Sequence, residues 1–438
     1  MTTEAGGETA SPQQREEQGG AVEADQVKPA PPEGQDSFLG LFLRNLWSAN
    51  TVTVTVLSIF LALVIGAVLI VISDSDVLSK FSYLTSRPSD ALQASWDLVS
   101  AAYADLFKGA IFDPAAFQAW VDGTGTWQAA FNPISETLTY ATPLVFTGLS
   151  VALAFRGGLF NIGGQGQAVI GCILGGVAGF AFGAPAGLHL IIALLFGLLG
   201  GALWGFLPGL LKARTGAHEV ITTIMLNYTA TLFLGWLILQ KGVQDPDRSD
   251  AISKTIASTA ELPALPSPLR VNLGIVLAVL VTAGVAWLIN RSSFGFELRA
   301  VGVNPPAART AGMSVAKTYT LLMVVAGALA GLGGAVQVLG TADKLTAQVA
   351  GNIGFDGLLV ALLGRNKPWG TLFAAILYGG LRAGGNLMQV DVGVSLELVT
   401  VLQALIVIFI AAPALVKAIF QLRAARSARL GATMAKGW

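Results

Sequence analysis

The stretch "GGLFNIGGQGQAVIG" (Gly157–Gly171) sets three carboxamides, Asn161, Gln165 and Gln167, among glycines inside an otherwise apolar region. Two chemistries fit those residue types: a glycine loop cradling phosphates, or a row of amides hydrogen-bonding a neutral polar solute. The first fails. A phosphate-binding loop needs Gly-Lys-Ser/Thr, the lysine meeting the phosphates and the hydroxyl the magnesium, and the chain contains no Gly-Lys pair. The dinucleotide fingerprint needs a preceding strand and an acidic residue about 20 positions on, inside a βαβ unit, whereas the flanks here are long apolar runs.

The remaining readings are a polar seam joining helices or the lining of a polar path, since carboxamides inside a membrane are costly unless partnered or wetted. Asn161 and Gln165 are four apart, a spacing that puts them on one helix face, with Gln167 pointing elsewhere. "NIGGQG" at 161–166 is echoed by "NIGFDG" at 352–357. A motif repeated in two oppositely running segments is the signature of an inverted repeat whose broken helices meet near the bilayer midplane. Asp356, a carboxylate near the start of an apolar span, is a functional candidate by default.

A second informative stretch is "FGFELRAVGVNPPAARTAGMSVAKT", Phe294 to Thr318. Asn304 precedes Pro305 as an N-cap precedes the first helical position, and Gly312 is placed to end the short helix that follows. A capped surface helix suits docking into a partner's groove; a solvated connector carrying basic residues is the alternative. The two histidines form no His-Glu-x-x-His or Cys/His metal pattern, and the single cysteine, Cys172, lies in an apolar run as a small buried hydrophobe.

The elements that hold these residues must be membrane helices. Of 438 residues, 53% are hydrophobic and 12% charged, where a soluble domain carries about a quarter charged residues. The fold class expected is an all-α integral membrane protein. Zero net charge gives no electrostatic case for nucleic acid. Residues 1–43 begin with a Glu-, Gln-, Gly- and Pro-rich tail that reads as disordered, with no signal-peptide pattern. The body of the protein is expected at 44–420, followed by a basic tail at 421–438. Val52–Ile72 forms the first uncharged span, and further spans are expected near 137–155, 160–182, 187–210, 220–240, 271–290, 318–340, 354–364, 369–385 and 396–416, about ten in all. Lys212 and Arg214, then Arg291, Arg299, Arg309 and Lys317, then Arg365 and Lys367, then Lys417, Arg423, Arg426 and Arg429 each follow an even-numbered span. The positive-inside rule then puts both termini in the cytoplasm, with 291–317 as a cytoplasmic loop and 73–136 as an external region of short, aromatic-rich surface helices. Glycines repeat every four residues at 171, 175, 179 and 183, and again at 197, 201, 205 and 209, as close backbone packing requires.

The segments "FRGGLFNIGGQGQ" (155–167), "HEVITTIMLNY" (218–228), "GFELRAVGVNPPAARTAGM" (295–313) and "GFDGLLVALLGRNKPWG" (354–370), in that order across most of 135–415, resemble permeases of bacterial ATP-binding-cassette importers. That group serves branched-chain amino acids, ribose-type sugars and nucleosides, and "LFNIGGQGQ" is most similar to the nucleoside branch. The resemblance implies a ten-span fold of the vitamin B12-importer type in the bacterial plasma membrane. It further implies pairing with a second permease, a cytoplasmic ATP-binding-cassette ATPase and an extracellular substrate-binding lipoprotein. The chain itself is then no enzyme and carries no cofactor, ATP and magnesium belonging to the ATPase. Cargo would meet hydrogen bonds from Asn161, Gln165, Asn227, Asn352 and Asp356 and stacking faces from Phe160, Tyr228 and Phe355. Motion would be coupled through Glu297, Arg299, Gly302, Asn304, Pro305, Ala308 and Gly312. A permease of the same kind for a simple sugar or a branched-chain amino acid is the alternative. An ion-coupled carrier would need a relay of membrane carboxylates, for which Glu219, Asp356 and Glu397 are the candidates.

Overall fold

The computed structural model describes residues 51–420. The expected tails at 1–43 and 421–438 lie outside the described residues. Among those described there is no β-strand, only isolated bridges, and the regular structure is helical. The helices, numbered in chain order, are α1 (Thr51–Ser73), α2 (Ser75–Lys80), α3 (Pro88–Ala110), α4 (Pro114–Val121), α5 (Trp127–Arg156), α6 (Gly164–Ala181), α7 (Leu188–Thr215) and α8 (Glu219–Leu237). There follow α9 (Gly274–Arg291), α10 (Ser293–Val303), α11 (Pro305–Thr310), α12 (Val315–Gln337), α13 (Ile353–Leu363), α14 (Pro368–Val392), α15 (Leu396–Ala411) and α16 (Pro413–Ile419).

Seven of these are long and apolar enough to cross a membrane: α1, α5, α6, α7, α8, α9 and α12 with its π-helical extension to Ala342. An eighth is reached if α15 and α16, bent by 88° at Ala412, count as one. The sequence expectation was about ten. The difference falls at the C-terminal end, for physical reasons. The 11 residues of α13 span about 16 Å against a hydrocarbon core of about 30 Å. The 25 residues of α14 are long enough, but glycines and the polar Arg382, Asn386 and Asp391 dilute its apolar character.

The bundle interior is built on glycine. Gly201 of α7 lies where an added Cβ would strike the Gly327 carbonyl of α12, and Gly205 likewise meets the Met323 carbonyl. Gly171 of α6 faces Gly331 of α12, and Gly334 of α12 faces the Ala168 carbonyl. Three helices therefore meet backbone to backbone, as both glycine stripes foretold, up to Gly183, which lies past the end of α6 with nothing around it. Helix contact of this kind replaces the hydrophobic drive that lipid does not provide. Around this centre, α1 buries Val54, Ala62 and Ile70 against Leu402, Ile406 and Phe409 of α15 and leaves Val56, Phe60, Val64 and Val68 exposed on its other side.

The region expected as external surface helices contains a packed element. α3 buries Ala102, Asp105 and Leu106 and lies so close to α14 that a Cβ on Gly384 would meet the Leu106 carbonyl. The loop between α8 and α9 is also ordered. Its Ser253 N–H donates to the Leu345 carbonyl (2.9 Å), its Ile256 N–H to Asp343 (3.0 Å) and its Ala257 N–H to Gly179 (3.0 Å). These bonds clamp it over the ends of α6 and α12.

Candidate functional site

The two "NIG" motifs are brought together. Asn161–Gly163 form a turn before α6, Val349–Asn352 a turn before α13, and the two helix starts abut at Gly164 and Gly354. A Cβ on Gly354 would overlap the backbone of Gln165, so only glycine permits the approach. Gln165 closes the junction: its Nε2 donates to the Gly351 carbonyl (2.7 Å) and its Oε1 accepts from the Gly354 N–H (2.9 Å).

Each motif is also held by a side chain from another helix, at its isoleucine carbonyl. Asn227 of α8 donates from Nδ2 to the Ile162 carbonyl (3.0 Å) and accepts at Oδ1 from the Gly166 N–H (2.8 Å). Thr147 of α5 donates from Oγ1 to the Ile353 carbonyl (2.8 Å). Of these groups the Gly166 N–H is a donor that a helix start leaves unpaired, and the two carbonyls belong to the isoleucine of each motif. The repeat seen in the sequence is thus matched in the hydrogen bonds around it.

A cavity of about 470 Å³ opens beside the junction, within the range of small-molecule sites. Ile162 and Gln165, Asn227, Tyr228 and Thr231 of α8, Gln348 and Asn352 of the turn, and Phe355 of α13 line it. Gln165 and Asn227 are buried and committed to backbone, whereas Gln348 and Asn352 are exposed. Tyr228 and Phe355, also in the lining, are 67% and 44% exposed. Amides that donate and accept, set beside flat aromatic faces, can hold a solute with hydroxyls and a planar ring.

Five of the eight expected path residues line this cavity: Gln165, Asn227, Tyr228, Asn352 and Phe355. The other three lie elsewhere. Asn161 is buried in a closed amide pair, Nδ2 donating to Gln167 Oε1 (2.9 Å) and to Ser150 Oγ (3.1 Å), and Oδ1 accepting from Gln167 Nε2 (3.2 Å). The spacing paired Asn161 with Gln165; the structure pairs it with Gln167, because Asn161 precedes the helix and helical spacing does not govern it. Phe160 packs edge-on against Phe155 at 5.0 Å. Asp356 accepts from the Tyr378 hydroxyl (2.9 Å). Gln348 and Thr231 were missed. Thr231 stands four residues after Asn227 on α8, a signal that was available; Gln348 sits in an irregular turn and gave none.

The coupling candidates fall on α10, α11 and the turn after them. The Asn304 carboxamide accepts from the Ala307 N–H (3.1 Å), Pro305 opens the helix, and Gly312 ends the turn at φ +85°. Arg299 donates to the Ile289 carbonyl, which pins α10 to the end of α9. Ala308 is buried with Val301 and Val315, while Phe296 and Val303 are 57% and 87% exposed. Glu297 is half-buried on α10. Gly302 lies against the Arg156–Gly158 turn, and a Cβ on Gly158 would sit 3.0 Å from the Gly302 carbonyl. The short helices therefore touch the chain segment that leads directly into the first motif.

Among the described residues no cluster of metal-ligating side chains occurs. The family described as "Branched-chain amino acid transport system / permease component" matches residues 134–411. The chain is 41% identical over 290 residues to the guanosine ABC transporter permease protein NupP of Bacillus subtilis, covering 65% of this chain and 83% of that one. It is 40% identical over 288 residues to the nucleoside ABC transporter permease protein NupB of Lactococcus lactis, covering 64% and 79%. It is 31% identical over 287 residues to the glucose ABC transporter permease protein TsgB13 of Haloferax volcanii, covering 63% and 75%. No solved structure matches.

Proposed function

The chain belongs to the permease-component family of branched-chain amino acid transport systems, and from that premise we propose that it is the multi-pass subunit of an ATP-binding-cassette importer whose cargo is a nucleoside. The observation that carries the cargo is the cavity at the motif junction, lined by exposed amides, Gln348 and Asn352, and by the exposed aromatic side chains of Tyr228 and Phe355. A nucleoside offers hydroxyls to the first and a base to the second. The printed names of the Bacillus and Lactococcus relatives support the same cargo.

In this reading the subunit does no chemistry. A separate ATPase closes on ATP and magnesium and presses on α10 and α11 at the exposed Phe296 and Val303. The push passes from Gly302 to the Arg156–Gly158 turn and on to the start of α6. A second permease completes the path, and an extracellular lipoprotein delivers the cargo. The seven candidate spans, with α13 lengthened by the turn from Val349, α14, and the bent α15–α16 as three further crossings, make the ten of a vitamin B12-importer-type fold in a bacterial plasma membrane. Both termini are then cytoplasmic, with tails at 1–43 and 421–438 around a permease domain at 44–420 whose external region is 73–136 and whose coupling loop is 291–317.

The relative named for glucose favours a second reading, a simple sugar, which the same amides would hold without the aromatic faces. Uptake of labelled guanosine in cells expressing the whole system separates the two. Competition by adenosine and uridine but not by ribose, glucose or leucine is the expected result. Competition by the sugars alone would reassign the cargo and leave the importer reading standing.

A further inference from the structure

A second cavity, of about 430 Å³, lies on the outer side of the bundle between α7 and α12. Its walls are Phe206 and Leu210 of α7 and Leu321 and Val324 of α12. Arg214 and Lys317 stand at one end of it, both exposed and neither in an ion pair among the described residues, whereas the neighbouring Lys212 is bonded to Glu219 at 2.9 Å. Both cations sit at the ends of membrane-crossing helices, Arg214 in the last turn of α7 and Lys317 in the first turn of α12. A cation in a helix's first turn opposes the helix dipole, so Lys317 gains nothing from its own helix. From Arg214 back to Phe206 is about 12 Å along the axis, close to the roughly 15 Å depth of one leaflet's hydrocarbon. A groove with cations at headgroup level and apolar walls running inward is complementary to a lipid whose headgroup is anionic.

We propose that the α7–α12 groove is a binding site for an anionic phospholipid, the phosphate held by Arg214 and Lys317 and an acyl chain lying along Phe206, Leu210, Leu321 and Val324. The groove is separate from the cargo cavity and its lining shares no residue with it. The groove adjoins the segment that carries the short helices, since Lys317 follows the end of α11 by seven residues. Bound lipid would brace the two helices at the end where α10 and α11 push.

The test uses the full-length protein in nanodiscs of phosphatidylcholine containing a titrated fraction of phosphatidylglycerol, with lipids retained after detergent extraction counted by native mass spectrometry. The wild-type chain is expected to retain phosphatidylglycerol over phosphatidylcholine. Removing charge at the groove should weaken retention about five-fold for each of Arg214→Gln and Lys317→Gln and roughly thirty-fold for the pair. Lys212→Gln, in the same last turn of α7, and Arg291→Gln, at the end of α9, both outside the groove lining, should leave retention unchanged. Leu321→Trp, which fills the groove and keeps both cations, should also abolish it, separating a lipid from a free phosphate attracted by charge alone. Equal retention of both lipids, full retention by the double variant, or retention unchanged in Leu321→Trp would each overturn the proposal. So would a disulfide between two copies carrying Leu321→Cys, which would show the groove covered by protein.

Discussion

Gln165 and Gly354, 189 residues apart, are joined by a hydrogen bond of 2.9 Å from the Gly354 N–H to the Gln165 side-chain oxygen. The same side chain donates to Gly351, so one amide seals the seam between two helix starts while its edge faces the cavity. Framework and lining are therefore combined in Gln165 and in Asn227, and separated in Gln348 and Asn352, which are exposed.

That separation is testable by comparing stability with transport. Gln165→Leu and Asn227→Leu each strand backbone groups of a buried turn, at about 1–3 kcal/mol per group left unpaired. Both should lower the melting temperature of the purified protein. Asn352→Ala, on an exposed lining residue, should leave melting unchanged and reduce guanosine uptake roughly two- to thirteen-fold, the worth of one hydrogen bond. Normal uptake by Asn352→Ala would remove it from the path.

Asn161 gives the opposite expectation from the one its sequence position suggests. Its amide pair with Gln167 and its bond to Ser150 are buried, so Asn161→Leu should act through folding, with loss of protein from the membrane. Well-folded Asn161→Leu protein with selectively lost uptake would instead place the residue on the path.

Stacking can be read from cargo selectivity. Tyr228→Ala and Phe355→Ala remove the two aromatic rings of the lining, a stacked ring being worth about 0.5–1.5 kcal/mol beyond area burial. The KM for guanosine should rise roughly two- to thirteen-fold in each, with protein levels unchanged because both residues are exposed. An unaltered KM in both variants would show that the base does not stack there.

Coupling is best probed where the short helices are exposed. Phe296→Asp and Val303→Asp should leave the protein folded and membrane-inserted while abolishing ATP-driven uptake. Ala308→Trp is a poor probe, since Ala308 is 4% exposed and a bulky side chain there would disturb folding as well. Full uptake by both aspartate variants would relocate the ATPase contact.

Much of this arrangement was legible in the sequence because it rests on local rules. Glycine at four-residue intervals marked the faces of α6 and α7 that touch α12, and Asn304–Pro305 marked the start of α11, since capping involves only adjacent residues. The repeated "NIG" pointed to a junction of two helix starts. The partners of Asn161 and Asp356 were not legible, because they depend on where a turn ends and which helix lies behind it. The packing of α3 on α14 escaped for a similar reason: its buried Asp105 disguises an inward face. The clamped loop between α8 and α9 is held by backbone bonds to distant turns, which leave no trace in composition.

Where α7 crosses α12, the contact is made by peptide carbonyls resting on α-carbons, at Gly201 with Gly327 and at Gly205 with Met323. At Gly201 with Gly327 such a crossing has no side chain on either partner that can change rotamer to let one helix slip past the other, and α6 is locked to the same helix through Gly171 and Gly334. Mechanically these three helices are a keel. Whatever swings during a transport cycle must swing against them, and the joints available are the side-chain hydrogen bonds of Asn227 and Gln165, which water can replace one at a time. Replacing Gly201 with valine would therefore act on assembly of the keel itself, while alanine at the unconfined Gly183 would pass unnoticed in both yield and uptake.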